Sequence, residues 1–428
     1  MTRAQKENVS EMGKRGVPVR IALCTQQLGK VSETFIQTHA EGLRPGLIAI
    51  EQGNYGLPVI DGRFVCSQAH VLRAARKARR MLLGKPWSDE IDYAYAAAFR
   101  QADVVLAEYG QMGVRVLPAC RKTKTPLVVH FHGHDASQHD VLDLHRDDYL
   151  RMFDFASAVV AVSRRMRCDL LALGCPEEKL VLNPYGIDTE TFRATTPADN
   201  PPTLLAVGRL VEKKAPHLLL LAFERVLRQA PDARLRVIGD GPLRGVCDDI
   251  LEATGIGSVV ELLGPQPHQQ VAAEMAAARA FVQHSVTAPN GDAEGTPVAV
   301  LEASASGLPV VATRHAGIAD AVVDSETGYL IDEYDVDGMA DRMLRVIAEP
   351  EKAQRLGQSG RERMIACYER RSRLTRLRTV LEAAATGHKI PYIDDDALSG
   401  NRPSEPTANG ERTENGSLIG SSTLQANA

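Results

Sequence analysis

The chain has 428 residues, enough for two to three domains, and its 44% hydrophobic content is ordinary for a soluble globular protein. A net charge of −4 gives no global pull towards nucleic acid, so no nucleic-acid partner is expected. No run of 18 apolar residues occurs, so no transmembrane helix is expected.

Residues 1–18 are polar and charged and lack the apolar core of a secretory signal, so the chain reads as cytoplasmic. Its seven cysteines (24, 66, 120, 168, 175, 247 and 367) form an odd, scattered set without a C-x2-C pair. That fits free thiols in a reducing compartment and argues against a zinc ribbon.

The first strand is expected at Val19–Cys24, and others at Leu47–Ile50, Asp103–Ala107, Leu127–His130, Ala158–Val162 and Leu180–Asn183. A second set follows the Pro-rich link at Ala198–Pro202. It comprises Leu204–Val207, Leu235–Ile238, Val259–Leu263, Ala280–Gln283, Leu308–Ala312 and Gly328–Ile331. Alternating strands and helices imply two α/β, Rossmann-like domains in tandem. Ligands of such sheets bind at the strands' carboxyl ends, so two facing sheets would share a cleft. Arg361 to Ala385 reads as one long helical tract. Residues 388–428 form a tail, disordered from about Ser399. Asp394 to Asp396 within it reads as solvated charge.

Two stretches carry charge towards such a cleft. Gly208-Arg209-Leu210 leads to Lys213 and Lys214 after the first strand of the second set. Arg offers a planar fork and Lys a point charge, a pairing suited to a diphosphate. Further on, Glu294-Gly295-Thr296-Pro297 precedes a short helix that stops at Gly307. Thr296 is expected to N-cap this helix, with Pro297 at its first position. The helix mouth is an anion site, with Glu294 just outside it and Glu302 inside, about 8 Å further along the axis. Carboxylates on either side of an anion suit a polyol joined through phosphate to a nucleoside.

This stretch, with Gly317 to Asp332 after it, resembles the E-x7-E region of family-4 glycosyltransferases, which have the GT-B fold. The resemblance covers roughly residues 19–385. It implies an acceptor-side domain over 19–198, a donor domain over 199–365, and a crossover helix over 366–387. Glu294 would lie at the donor sugar, Gly295 to Pro297 would present amides to it, and Glu302 would hold the ribose. Arg209 and Lys214 match the family's phosphate-contacting residues; many members have Gly where Ala215 stands, a departure not expected to matter. Gly239, in a G-x-G turn, and Gly264 with Gln266, near the base, match further donor-side positions. His132-Gly133 matches a His-Gly that family members place beside sugar and acceptor. His132 is therefore assigned to positioning them, with general base as a further role. Gly29 and Ser32 are cleft candidates where many members have a Gly-Gly turn, and the Gly-then-Ser-Glu-Thr-Phe-Ile stretch resembles members that act in bacterial exopolysaccharide synthesis.

The resemblance implies retaining transfer from a UDP- or GDP-linked sugar to a saccharide or lipid-linked saccharide, with no metal and no other cofactor. Rival readings are a sugar-nucleotide epimerase on the same fold and a non-catalytic nucleotide-sugar-binding protein. A dead copy would be expected to lose Glu294, Arg209 or Lys214, and all three are present. A zinc site at His130, His132 and His134 is a rival on spacing, since alternate residues share a strand face. The basic stretch 71–87, carrying Arg73, Arg76, Lys77, Arg79, Arg80 and Lys85, reads either as an anionic-membrane contact or as a basic surface helix.

Overall fold

The computed structural model describes residues 18–30, 33–53, 56–64 and 88–390. Ser32, the basic stretch 71–87 and the tail beyond 390 lie outside the described residues. So do residues 1–17.

The first sheet holds β1 (Ile21–Thr25), β2 (Leu47–Gln52), β3 (Pro58–Ile60), β4 (Arg63–Phe64), β5 (Val104–Glu108), β6 (Leu127–His130), β7 (Ala158–Ala161) and β8 (Leu180–Leu182). Their spatial order is β4-β3-β2-β1-β5-β6-β7-β8. All pairs are parallel except β2·β3 and β3·β4. The second sheet holds β9 (Thr203–Val207), β10 (Arg234–Ile238), β11 (Val260–Gly264), β12 (Ala280–Gln283), β13 (Val310–Thr313) and β14 (Gly328–Ile331). It is wholly parallel, in the order β11-β10-β9-β12-β13-β14. Helices flank these sheets, so inner strands such as β5 and β12 are buried along their whole length and read as continuous apolar runs.

Chain order reverses between β1 and β5 in one sheet and between β9 and β12 in the other. Such switch points open a crevice at the carboxyl ends of the strands. Glu108 ends β5, the Arg209–Lys214 loop follows β9, and the Glu294 loop follows β12.

Two expectations differ from the structure. The β3–β4 hairpin was not expected. Its turn is Asp61-Gly62, with φ values of 45° and 75°, the doubly left-handed geometry that the Asp-Gly pair favours. The tract from Arg361 to Ala385 is two helices, Pro350–Cys367 and Arg370–Thr386. Glu369 ends the continuity by capping the second, accepting from the Ser372 amide at 2.7 Å. Leu377, Val380, Leu381 and Ala384 of that second helix pack with Ile21, Leu23, Val104, Leu106 and Val160 of the first sheet. The chain crosses between domains twice, side by side. The Ile187 amide donates to the Tyr368 carbonyl at 2.7 Å, and the Arg370 amide to the Ile187 carbonyl at 3.1 Å. No described helix is long and apolar enough to cross a membrane.

Candidate active site

Three turns stack where β9, β10 and β11 end. The Gly208 amide donates to the Ile238 carbonyl and the Gly239 amide to the Gly264 carbonyl, both at 2.9 Å. A Cβ on Gly239 would collide with the Gly208 carbonyl oxygen, so only glycine lets the two turns meet. Gln266 folds back, its amide donating to the Leu263 carbonyl at 2.7 Å. Arg209 is exposed and has no ion pair or side-chain hydrogen bond among the described residues. Lys213 and Lys214 lie on a single 3-10 turn that ends at Ala215. Ala215 takes φ 38° and ψ 52°, the left-handed region, at a cost of about 1 kcal/mol relative to ordinary backbone. The departure from Gly at this position is therefore not neutral.

The two lysines face two acids of one loop. Lys214 Nζ lies 2.9 Å from Glu294 Oε1, and Lys213 Nζ lies 2.9 Å from Asp292 Oδ1 and 3.2 Å from the Ala293 carbonyl. Burial opposes ionisation of Glu294, but Lys214 and Lys213 outweigh it and lower the carboxyl to about 2. Helix Val298–Ala305 follows, one residue later than expected, with Pro297 at its N-cap position. Thr296 does not cap it. Its hydroxyl donates instead to the Val162 carbonyl of the first domain at 2.7 Å. The amides of Gly295 and Thr296 donate to no group among the described residues, which leaves them for an anion. Glu302, on the buried face of the helix, accepts from His268 Nε2 at 2.9 Å. That hydrogen bond raises the His268 imidazole above its ordinary value despite partial burial.

The Glu294 loop rests on the first domain. The His139 amide donates to the Asn290 carbonyl at 2.9 Å, and the Ala293 amide to Ser137 Oγ at 3.1 Å. A Cβ on Gly295 would strike the His132 carbonyl oxygen, so Gly295 allows the donor loop and the His132-Gly133 turn to touch.

Behind that turn lies a buried network. The Glu108 carboxylate accepts from His39 Nδ1 at 2.9 Å and His132 Nε2 at 2.8 Å, with His130 Nδ1 at 3.5 Å. Burial disfavours the Glu108 anion, but the His39 charge and the ring N–H groups hold it well below the carboxylate range. Burial also pushes the His130 imidazole down to about 4. His132 Nδ1 meets the Tyr185 hydroxyl at 2.9 Å, and Phe35 stacks on the His132 and Tyr185 rings. Both His132 ring nitrogens are thus engaged, one by Glu108 and one by Tyr185, an arrangement that orients the turn.

His134 does not share a strand face with His130 and His132, because β6 ends at His130 and His134 opens a short helix. His39 takes the third place instead. His39, Glu108 and His130 offer ligand atoms within 4.8 Å of one another. Their carboxylate charge is already answered by two ring N–H groups. Gly29 lies on the exposed turn after β1, with open space where a Cβ would be. The structure thus joins Lys214, Glu294, Gly295, Thr296 and His132 in one contact network, and Gly208, Gly239 and Gly264 in an adjoining one.

Sequence reasoning missed Glu108, His39, His268 and His315. Only Glu108 left a signal, a carboxylate closing the apolar run Val104–Ala107.

Residues 10–191 match the family model described as Glycosyltransferase Family 4, and residues 188–363 match Glycosyl transferases group 1. The two matches adjoin and together run through both sheets. Each half of the chain thus matches a glycosyltransferase model, each over about four-tenths of its length. WcaL of Escherichia coli, named for colanic acid biosynthesis, is 33% identical over 58% of this chain and 62% of its own length. AmsK of Erwinia amylovora, an amylovoran biosynthesis glycosyltransferase, is 32% identical over 57% of this chain and 61% of its own. The chain thus spans about six-tenths of the length of these relatives. The Anabaena protein Alr3699/HepE, solved in complex with UDP and glucose, superposes with a TM-score of 0.67 at 18% identity. That match covers 84% of this chain and 98% of the Anabaena protein, and it shows the shared GT-B fold.

Proposed function

We propose that this chain is a family-4 glycosyltransferase that moves a sugar from a UDP- or GDP-linked donor to a hydroxyl of a saccharide or lipid-linked saccharide. The reaction retains the anomeric configuration, needs no metal and serves exopolysaccharide or cell-surface glycan synthesis. The observation that carries this reading is the buried Glu294 carboxylate, paired with Lys214 and followed in the chain by the Gly295 and Thr296 amides, which donate to no group among the described residues. Breaking the sugar–phosphate bond leaves added negative charge on a nucleoside diphosphate. Arg209, Lys214 and these amides supply fixed positive potential for it. Lys214 is held by Glu294, so its ammonium faces both the sugar-side carboxylate and the phosphate of the donor. Glu302 takes the ribose hydroxyls, sharing its carboxylate with His268.

Support for the pathway comes from the names of WcaL and AmsK. Support for the donor comes from a GDP-mannose-dependent mannosyltransferase of Mycolicibacterium smegmatis, 29% identical over 60% of this chain, and from the UDP complex. The acceptor reaction takes place at the cytoplasmic face, with residues 71–87 against anionic lipid.

The test is transfer from UDP-glucose and GDP-mannose in excess EDTA, with proton NMR of the fresh product. The expected result is a product with the donor's anomeric configuration. Abolition by EDTA, inversion, or an epimerised sugar nucleotide without transfer would overturn the reading.

A further inference from the structure

We propose that His315 and Glu333 are positioning residues that set the placement of Glu294 for turnover. This inference rests on Glu294 acting at the donor sugar.

The Glu294 amide meets His315 Nε2 at 3.1 Å. An amide N–H can only donate, so Nε2 is bare and the ring proton sits on Nδ1. Nδ1 points at Glu333 Oε1, 2.6 Å away. The second Glu333 oxygen accepts from the Thr287 amide at 2.8 Å. The next residue, Tyr334, donates its hydroxyl to the Thr287 carbonyl at 3.2 Å. One carboxylate and one ring thus hold both ends of the loop from Thr287 to Glu294. His315 follows β13 and Glu333 follows β14, so the relay is mounted on two paired strands. The His315 side chain is 2% exposed and both its nitrogens are used, which leaves little play in the ring. Lys213 and Asp292 fix the middle of the same loop.

A carboxylate that serves at the reacting sugar is sensitive to small displacements, whereas overall donor affinity is spread over Arg209, Lys214 and Glu302. Losing the relay should therefore act on turnover rather than on donor binding. The test compares His315→Leu, His315→Gln, Glu333→Gln and Glu294→Gln. Each is assayed for kcat and donor KM with whichever of UDP-glucose and GDP-mannose raises the melting temperature more, and each is checked for melting. His315→Leu should cut kcat by about 100-fold at unchanged donor KM, the scale of a misplaced catalytic group. His315→Gln retains an oxygen able to accept the Glu294 amide and should recover part of that loss. Glu333→Gln, which keeps one acceptor of two, should also fall between. Unchanged kcat in His315→Leu overturns the proposal, and so does a joint loss of kcat, KM and melting temperature, which marks a merely structural role. If His315→Leu does not fold, wild-type kcat in both glutamine variants overturns it. Full turnover in Glu294→Gln would instead sink the reading of Glu294 itself.

Discussion

Lys214 and Glu294 meet at 2.9 Å although they come from the loops after β9 and β12, the two strands that flank the switch point of the second sheet. The pair is unequal. Lys214 keeps some access to water, and Glu294 is buried.

This inequality sets a stability order. Lys214→Met should cost about 3 kcal/mol, because it strands a buried carboxylate. Glu294→Gln should cost about 1 kcal/mol, because the ammonium can turn to solvent. The sign with pH follows from Glu294 standing at about 2, below its ordinary 4.5. Its contribution is present above pH 4.5 and is lost as pH falls towards 2. Urea denaturation of both variants checks the order, and a costlier Glu294→Gln would contradict it.

The two glutamates of the motif should separate in kinetics. Glu294→Gln should lower kcat far more than it weakens donor binding. Glu302→Ala should weaken donor binding by about 1.5–3 kcal/mol, the range for hydrogen bonds to a charged group. Calorimetric titration with donor, beside steady-state rates, reads both. Equal loss of affinity in the two variants with turnover spared would be the contrary result.

Acid should destabilise the fold well above the carboxylate range. Burial pushes His130 and His284 down from 6.5 to about 4 each. The unfolded chain therefore binds these protons first, and stability falls as pH drops from 6.5 to 4. Each group adds a slope of up to about 1.4 kcal/mol per pH unit. Unfolding free energies at pH 7, 6 and 5 should show that slope, and His284→Gln should flatten it. An identical slope in the variant would mean that His284 takes no part.

What was legible in the sequence was whatever neighbouring residues decide. Apolar runs such as Val104–Ala107 and Leu127–Val129 marked the strands, because a sheet covered on both faces leaves no polar alternation. The motif around Glu294 and the glycine turn before Arg209 announced a phosphate-facing site through local spacing. What could not be read depends on partners far along the chain. Thr296 has the side chain of a helix cap, yet its hydroxyl goes to Val162, 134 residues away. His39 and Glu108 meet only because β1 and β5 are neighbours. His315 and Glu333 become a relay only once β13 and β14 pair. The break at Tyr368-Glu369 likewise has a distant partner, the segment at Ile187 that shares two hydrogen bonds with it, although the helical pattern of the arginines runs through. The Asp61-Gly62 turn, by contrast, was a local signal that went unread.

The last described helix, Arg370–Thr386, completes the apolar face of a sheet whose first strand begins at Ile21. Synthesis runs from the amino end, so the half made first waits longest for its last piece. Until residue 386 has left the ribosome, Ile21, Leu23, Val104, Leu106 and Val160 have no cover from that helix. The domain made second closes its own sheet with Gly328–Ile331, well before that moment. Birth order and completion order are thus opposed, and a chain stopped early exposes an oily face on its oldest part.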